Sequence, residues 1–363
     1  MAANRFISTA RVARPLVVSR TATQARGYAS ATFAGGSNWP MIFSVAGVAG
    51  LGTYAYLKFN PSVKEELVAK SHELEQKAAG KIKSGEAQKD AAERTATSVS
   101  ALVKDSFVPL TLAKVDKHNH NTNIYHFTFG EDGQNKTSGV QVASIVLMRS
   151  PQGEGELLDD KGKPIIRPYT PISAPDQKGF IKFMIKEYPT GKFTPWLANL
   201  KPGQQVLFKG PLSKFKYEAN SFDKGLCIAG GSGITPMWQL ITHSLSLPED
   251  KTKWTLIFSN VTESDILLRK EWDQLAKQYP NRLQVKYVLD KGPWGWKGDT
   301  GFVTPELISK HFPKTSGEKV RAFVCGPIGQ MKAVSGLKDG MKQGELAGAL
   351  KELGYTSEEV FKY

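Results

Sequence analysis

Residues 225–246 read GLCIAGGSGITPMWQLITHSLS, which in order is a strand, a glycine turn and a helix. GLCIA is a short apolar run with the length of a strand buried on both faces. Gly230, Gly231 and Gly233 then permit a tight turn and close backbone approach. Pro236 fits the first turn of the helix continued by TPMWQLITHSL, where its missing N–H costs little. The same alternation returns in WTLIFSN (254–260) before ILLRKEWDQLAKQY (266–279), in LQVKYVL (283–289), and in RAFVCG (321–326) before QMKAVSG (330–336). Strands alternating with helices predict a parallel sheet covered by helices, an α/β domain over 219–363.

Upstream the period changes to two. NIYHFTF (123–129), VQVASIVLM (140–148), FIKFMIKEY (180–188) and QQVLFKG (204–210) are separated by Gly, Pro, Asp and Asn, which predicts a small antiparallel β-barrel over 105–218. Residues 59–104 mix Lys, Glu, Ala and Gln with too little apolar surface for a core, and read as a polar helical linker. Before it, residues 39–58 enclose the uncharged run MIFSVAGVAGLGTYAYL, bordered by Trp39 and Lys58, a candidate transmembrane helix. Residues 1–38 carry Arg5, Arg11, Arg14, Arg20 and Arg26 with many Ser, Thr and Ala, and no acidic residue precedes Glu65; this matches a mitochondrial presequence, and also a basic tail.

The chain has 363 residues and a formal net charge of +14, room for two ordinary domains. A positive field attracts nucleic acid, anionic membranes and acidic proteins alike. No RNA-binding or zinc-finger pattern accompanies it, so no nucleic-acid partner is expected. The two cysteines, Cys227 and Cys325, have no neighbours at metal spacing, which argues against a structural zinc site; Cys227 reads as a buried strand residue, and pairing of the two stays open.

In a doubly wound sheet, ligands bind where strands end and helices begin, because the unsatisfied N–H groups there favour anions. AGGSGITPM (229–237) fits that geometry, with Pro236 where a third glycine of G-x-G-x-x-G would stand; alone it fits a structural turn as well. Asp265, in NVTESDILLR, can accept hydrogen bonds from an adenine-ribose diol and repel an extra phosphate, or equally can cap the helix ILLRKEW. Cys325, Gly326 and Pro327 close another strand at the same edge, as a thiol beside the reacting ring or as a plain turn. On the barrel side, Arg167, Pro168, Tyr169, Thr170 and Ser173 (RPYTPIS, 167–173) combine a forked cation, an aromatic face and hydroxyls on a proline-stiffened strand, a set suited to a flat ring with a phosphate tail. Gly191, Lys192, Phe193 and Thr194 lead into TPWLANL, a weak signal for a pyrophosphate at a helix start.

Taken in order, RPYTPIS, the strand ending in Lys186, GKFTPWL, GGSGITPM, TESDILLR, YVLDK, GFVT and CGP resemble the NADH-cytochrome b5 reductases, within the ferredoxin-NADP reductase-like flavoproteins, over about the last seven-tenths of the chain. The presequence, apolar segment and the tail QGELAGALKELGY resemble the fungal mitochondrial form. The resemblance implies an FAD-binding barrel followed by a Rossmann-like NADH-binding domain behind a membrane anchor, with cytochrome b5 or a similar heme protein as acceptor. It implies that Arg167 holds the FAD phosphate, that Tyr169 lies against the flavin ring, and that Thr170 bonds near its reacting edge. Tyr188 and residues 191–194 would then serve the FAD tail, Ser232 and Thr235 would face flavin and nicotinamide, and Lys186 and Asp265 would face NADH. Thr170, Lys186, Ser232 and Cys325 are thus the candidate residues nearest the reaction. Gly230, Gly231, Gly233, Pro236, Gly326 and Pro327 shape the nucleotide turn. Three departures bear on this: Ser213 where glycine is frequent, CGPIGQM in place of CGPPPM, and Tyr363 where phenylalanine is common. A monomer at the mitochondrial outer membrane, or released into the intermembrane space after processing, is expected. Rival readings are a same-fold reductase preferring NADPH or a quinone, and a membrane tether whose flavin site has decayed.

Overall fold

The computed structural model describes residues 100–363, and the presequence, the apolar segment and most of the linker fall outside them. Within residues 100–363, no helix is long and apolar enough to cross a membrane.

The first sheet is built from β1 (Val108–Lys117), β2 (Thr122–Thr128), β3 (Ser144–Arg149), β4 (Arg167–Tyr169), β5 (Phe180–Lys186) and β6 (Gln205–Ser213), in the order β4-β3-β6-β1-β2-β5. All its pairings are antiparallel. Alternation along the strands turns Leu110, Leu112, Phe127, Val146, Met148, Ile181, Phe183, Val206 and Phe208 inward, where they are buried together. Phe127 and Phe183 pack on Phe208 with ring centroids 4.8 and 5.7 Å apart, and each such side chain contributes about 1.5–3 kcal/mol by leaving water. The two edges meet just beyond β4: Ile172 N donates to Lys182 O (2.9 Å) and Lys182 N donates to Ser173 Oγ (3.2 Å). The expected barrel is therefore closed by the RPYTPIS segment itself. A short helix, α1 (Phe193–Asn199), plugs the core with Phe193 and Leu197.

One strand differs from its sequence reading. VQVASIVLM was expected to run unbroken from 140, but β3 begins at Ser144 because Ala143 has φ 58°, in the left-handed region. The kink turns Ala143 O toward the amides of Lys214 and Phe215, which fastens β3 to the connection between the two sheets.

The second sheet contains β7 (Lys224–Gly230), β8 (Lys253–Asn260), β9 (Leu283–Leu289), β10 (Asp299–Thr300), β11 (Val320–Cys325) and β12 (Val360–Lys362), ordered β10-β9-β8-β7-β11-β12 and parallel throughout. Helices α2 (Ile234–Ser246), α3 (Arg269–Gln278), α4 (Pro305–His311), α5 (Ile328–Ser335) and α6 (Gly348–Glu352) complete it. Successive residues of β7 feed opposite faces: Cys227 and Ala229 pack with Met237, Ile241 and Trp272, while Leu226 and Ile228 pack with Ile308, Val334 and Leu350. Burial on both faces explains why the strand reads as continuously apolar. The first strand, β7, has β8 on one side and β11 on the other, so the chain reverses direction of travel between β7 and β11 and leaves a crevice at their carboxyl ends.

Candidate functional site

At that crevice Gly230 and Gly233 are required by packing. A Cβ on Gly233 would lie 2.2 Å from Cys325 O, and one on Gly230 would lie 2.7 Å from Cδ of the Pro327 ring. Gly231 meets no neighbour within 4 Å, but its φ of +50° is one that L side chains rarely adopt. The departure CGPIGQM acquires a structural meaning here: Gln330 folds back over Gly230 and Gly326 and pairs with Ser259 Oγ at 2.9 Å. Pro327 is exposed at the cap of α5, and Thr235 and Pro236 are buried in the first turn of α2.

The barrel supplies the other wall. Arg167, on the exposed edge strand β4, hydrogen-bonds only to Ile166 O (3.0 Å) and has no carboxylate partner among the described residues. Pro168 is tolerated beside it because an edge strand does not need its N–H. Tyr169 leans on Phe193 at 5.9 Å; burial raises its phenol, against the pull of Arg167, so it stays neutral. Thr170 is 8% exposed and its hydroxyl has no partner among the described residues. Thr194 ties the loop after β5: its Oγ1 accepts from Tyr188 N (2.9 Å), and Gly191 N donates to Tyr188 O (2.8 Å). Lys192 pairs with Asp160 at 2.7 Å on the surface. A guanidinium with no carboxylate partner among the described residues, a neutral half-buried ring and the Thr170 hydroxyl, in one segment, fit a planar, phosphate-bearing group.

The two walls touch. Tyr188 Oη and Ser232 Oγ share a hydrogen bond of 3.0 Å. Lys186 Nζ donates to Asp265 Oδ1 at 3.0 Å. Asp265 is 8% exposed. Burial would raise its carboxyl, but hydrogen bonds from Thr262, Lys186 and Asn121 outweigh that and hold it at about 2. The capping alternative for Asp265 is realised in altered form: it closes a capping box with Thr262 around a single turn, Glu263–Asp265. The helix expected from 266 begins only at Arg269, because Leu268 has φ 56° and Ile266, Leu267 and Leu268 turn into the core. Sequence reading overlooked Thr262, although T-x-x-D is a legible capping signature, and also Asn121, for which no local signal exists.

Cys325 lies at the end of β11, and burial pushes its thiol up to about 12 despite Lys338 nearby, so it carries no thiolate at neutral pH. Both cysteines are free thiols. Tyr363 packs edge-on against Phe361 at 5.1 Å, with its hydroxyl buried and without a partner among the described residues. Ser213 ends β6 on the surface, paired with Ser144. A cavity of about 180 Å³ lined by Lys224, Arg282 and His311 contains none of these residues and lies at the sheet's opposite, amino edge.

Comparison with known proteins fits this arrangement. Residues 109–217 match the family model described as oxidoreductase FAD-binding domain, and residues 227–336 that described as oxidoreductase NAD-binding domain. NADH-cytochrome b5 reductase 2 of Mycosarcoma maydis is 44% identical over 91% of this chain and 89% of its own. The protein of the same name from Botryotinia fuckeliana is 41% identical over 97% of this chain and 98% of its own. The chain belongs to the NADH-cytochrome b5 reductase family. The crystal structure of the cytochrome b5 reductase domain of Ulva prolifera nitrate reductase superposes with a TM-score of 0.63 at 25% identity, covering 73% of this chain and all of that one. The family's two domains, flavin-binding and then nucleotide-binding, correspond to the antiparallel and parallel sheets.

Proposed function

We propose that the protein is an NADH-dependent flavoprotein reductase that delivers electrons to cytochrome b5 or a similar heme protein. The observation that carries this reading is the Tyr188–Ser232 hydrogen bond, which joins the loop after β5 of the barrel to the glycine turn of the parallel sheet. FAD, when bound, supplies the redox chemistry, taking a hydride equivalent from NADH and releasing single electrons. The chain's own residues bind and orient. Arg167 is assigned to the FAD phosphate, Tyr169 and Thr170 to the ring, and Tyr188 with residues 191–194 to the tail. Ser232 and Thr235 are assigned to the nicotinamide side, with Lys186 and Asp265 farther out along the dinucleotide. Cys325 acts as a neutral wall, since hydride transfer requires no nucleophile.

An absorption spectrum of the purified protein tests cofactor, donor and acceptor together. A flavin band should bleach with NADH and return as oxidised cytochrome b5 is added and reduced; a colourless protein that takes up no FAD overturns the reading.

We propose further that residues 1–38 target the chain to mitochondria and 39–58 anchor it. Residues 59–104 would then space a monomeric catalytic body, with domains 105–218 and 219–363, from the membrane. The arginine-rich, acid-free start and the uncharged run bordered by Trp39 support this. Protease protection on intact and swollen mitochondria should distinguish outer-membrane from intermembrane-space protein, and a wholly cytosolic pool refutes the targeting.

A further inference from the structure

Residues 118–121 form the β1–β2 turn of the flavin-side sheet, yet all four side chains reach the β8–α3 turn of the nucleotide-side sheet. His118 Nε2 accepts from Leu268 N (3.4 Å) and Asn119 Nδ2 donates to Ser264 O (2.9 Å). His120 Nε2 lies 3.6 Å from Asp265 Oδ1, and Asn121 Nδ2 donates to that oxygen at 3.2 Å.

The Asp265 carboxylate is consequently full. Oδ2 accepts from Thr262 N (3.1 Å) and Thr262 Oγ1 (2.6 Å), and Oδ1 accepts from Lys186 and Asn121. Each carboxylate oxygen offers two lone pairs, so a ribose hydroxyl that donates to Asp265 must replace one of the donors. The Thr262 donors belong to the same turn and cannot leave without opening it. Of the other two, Lys186 has a long flexible stem and a charge that a diphosphate would attract. Asn121 is short and held from three sides: its Oδ1 accepts from Thr122 Oγ1 (2.9 Å), its carbonyl from Glu187 N (2.7 Å), and its N donates to Asn119 Oδ1 (3.1 Å). The Thr122 contact also fixes the amide so that its N–H side faces Asp265.

We infer that Asn121 is a specificity-determining positioning residue: it holds the Asp265 carboxylate from across the domain boundary when a dinucleotide draws Lys186 away, and so sustains preference for an unphosphorylated adenine ribose. This rests on the assignment of Asp265 to the nucleotide.

Steady-state kinetics of the full-length holoenzyme with NADH and with NADPH, using ferricyanide as a one-electron acceptor, test it in Asn121→Ala, Asn119→Ala and Asp265→Ala. Asn121 is half-buried and accepts from the hydroxyl of the buried Thr122, so far-UV circular dichroism and retained FAD check the fold of each variant. Asn121→Ala should retain FAD and its kcat with NADH, while KM for NADH rises and the NADH-to-NADPH ratio of kcat/KM falls, each about tenfold, the low end for one lost charge-assisted hydrogen bond. Asn119→Ala, which loses its contact with Ser264 O and one of the three holds on Asn121 but leaves the Asn121–Asp265 hydrogen bond itself, should lower the ratio less than Asn121→Ala does. If Asp265→Ala loses discrimination and Asn121→Ala keeps it, the inference fails alone. If Asp265→Ala keeps discrimination, the assignment of Asp265 fails and the inference falls with it. Equal effects of Asn119→Ala and Asn121→Ala, or a loss of kcat shared by both nucleotides, reduce the hairpin to a general domain contact and overturn the inference.

Discussion

Asp265 shows how a single side chain can serve fold and site together. Its carboxyl is held at about 2, below its ordinary 3.8. A depressed folded-state value means stability that is present above the unfolded value and is lost as pH falls through the folded one. The difference amounts to about 2 kcal/mol. Urea titrations should therefore show a constant gap between wild type and Asp265→Asn at pH 5 and above, closing towards pH 2; a gap independent of pH would show that the ionised form is not what the capping box and Lys186 hold. Arg167 predicts the opposite separation of fold from site. Among the described residues its guanidinium hydrogen-bonds only to the adjacent carbonyl, so Arg167→Ala should lose flavin absorbance while far-UV circular dichroism and the apoprotein melting temperature remain as in wild type. The aromatic, cationic and hydroxyl content of RPYTPIS was legible because residue type alone specifies its chemistry. His120 and Asn121, the partners of Asp265 from the β1–β2 turn, were not, because Asn121 lies 144 positions away and both are brought in only by the domain arrangement.

At the level of elements, the period of the apolar pattern identified both sheets, and errors fell where the backbone leaves regular conformations. Ala143 and Leu268, both at positive φ, shorten β3 and delay α3 relative to their apolar runs. Neither residue type advertises that region, so periodicity continues through the break. The glycine turn was located correctly, but sequence alone could not separate close approach to a ligand from close approach to protein. Gly233→Ala separates them: a methyl 2.2 Å from Cys325 O must push β11 and α2 apart. It should cost about 1–3 kcal/mol, as overpacking does in cores, and lower the midpoint of chemical unfolding even without nucleotide. An unchanged midpoint would mean the turn can shift at no cost.

On the scale of the molecule, the connection between the two sheets is fixed by a buried network that no motif announced. Tyr217 donates to Asp250, which also accepts from Ser244 Oγ (2.8 Å) and Thr252 N (2.9 Å), while Trp254 Nε1 donates to Ser244 Oγ (2.8 Å). Asp250 is fully buried, which would raise its carboxyl; the hydrogen bonds from Tyr217, Thr252 and Ser244 keep it lowered instead. Tyr217→Phe removes one donor to a buried charge and should cost about 1.5–3 kcal/mol in unfolding free energy. Because Tyr217 anchors the connection between β6 and β7 as well, the variant should also broaden the unfolding transition as the two domains separate; a transition as sharp as wild type would show that this connection is fixed elsewhere. The barrel has its own seam, closed by Ile172 and Ser173 at the end of the segment assigned to the flavin. A ligand that binds this seam binds only the folded barrel and is linked to its stability by mass action. In a cell short of riboflavin, chains left without cofactor would open along that seam and be degraded first, so the amount of enzyme, as well as its activity, would follow vitamin supply.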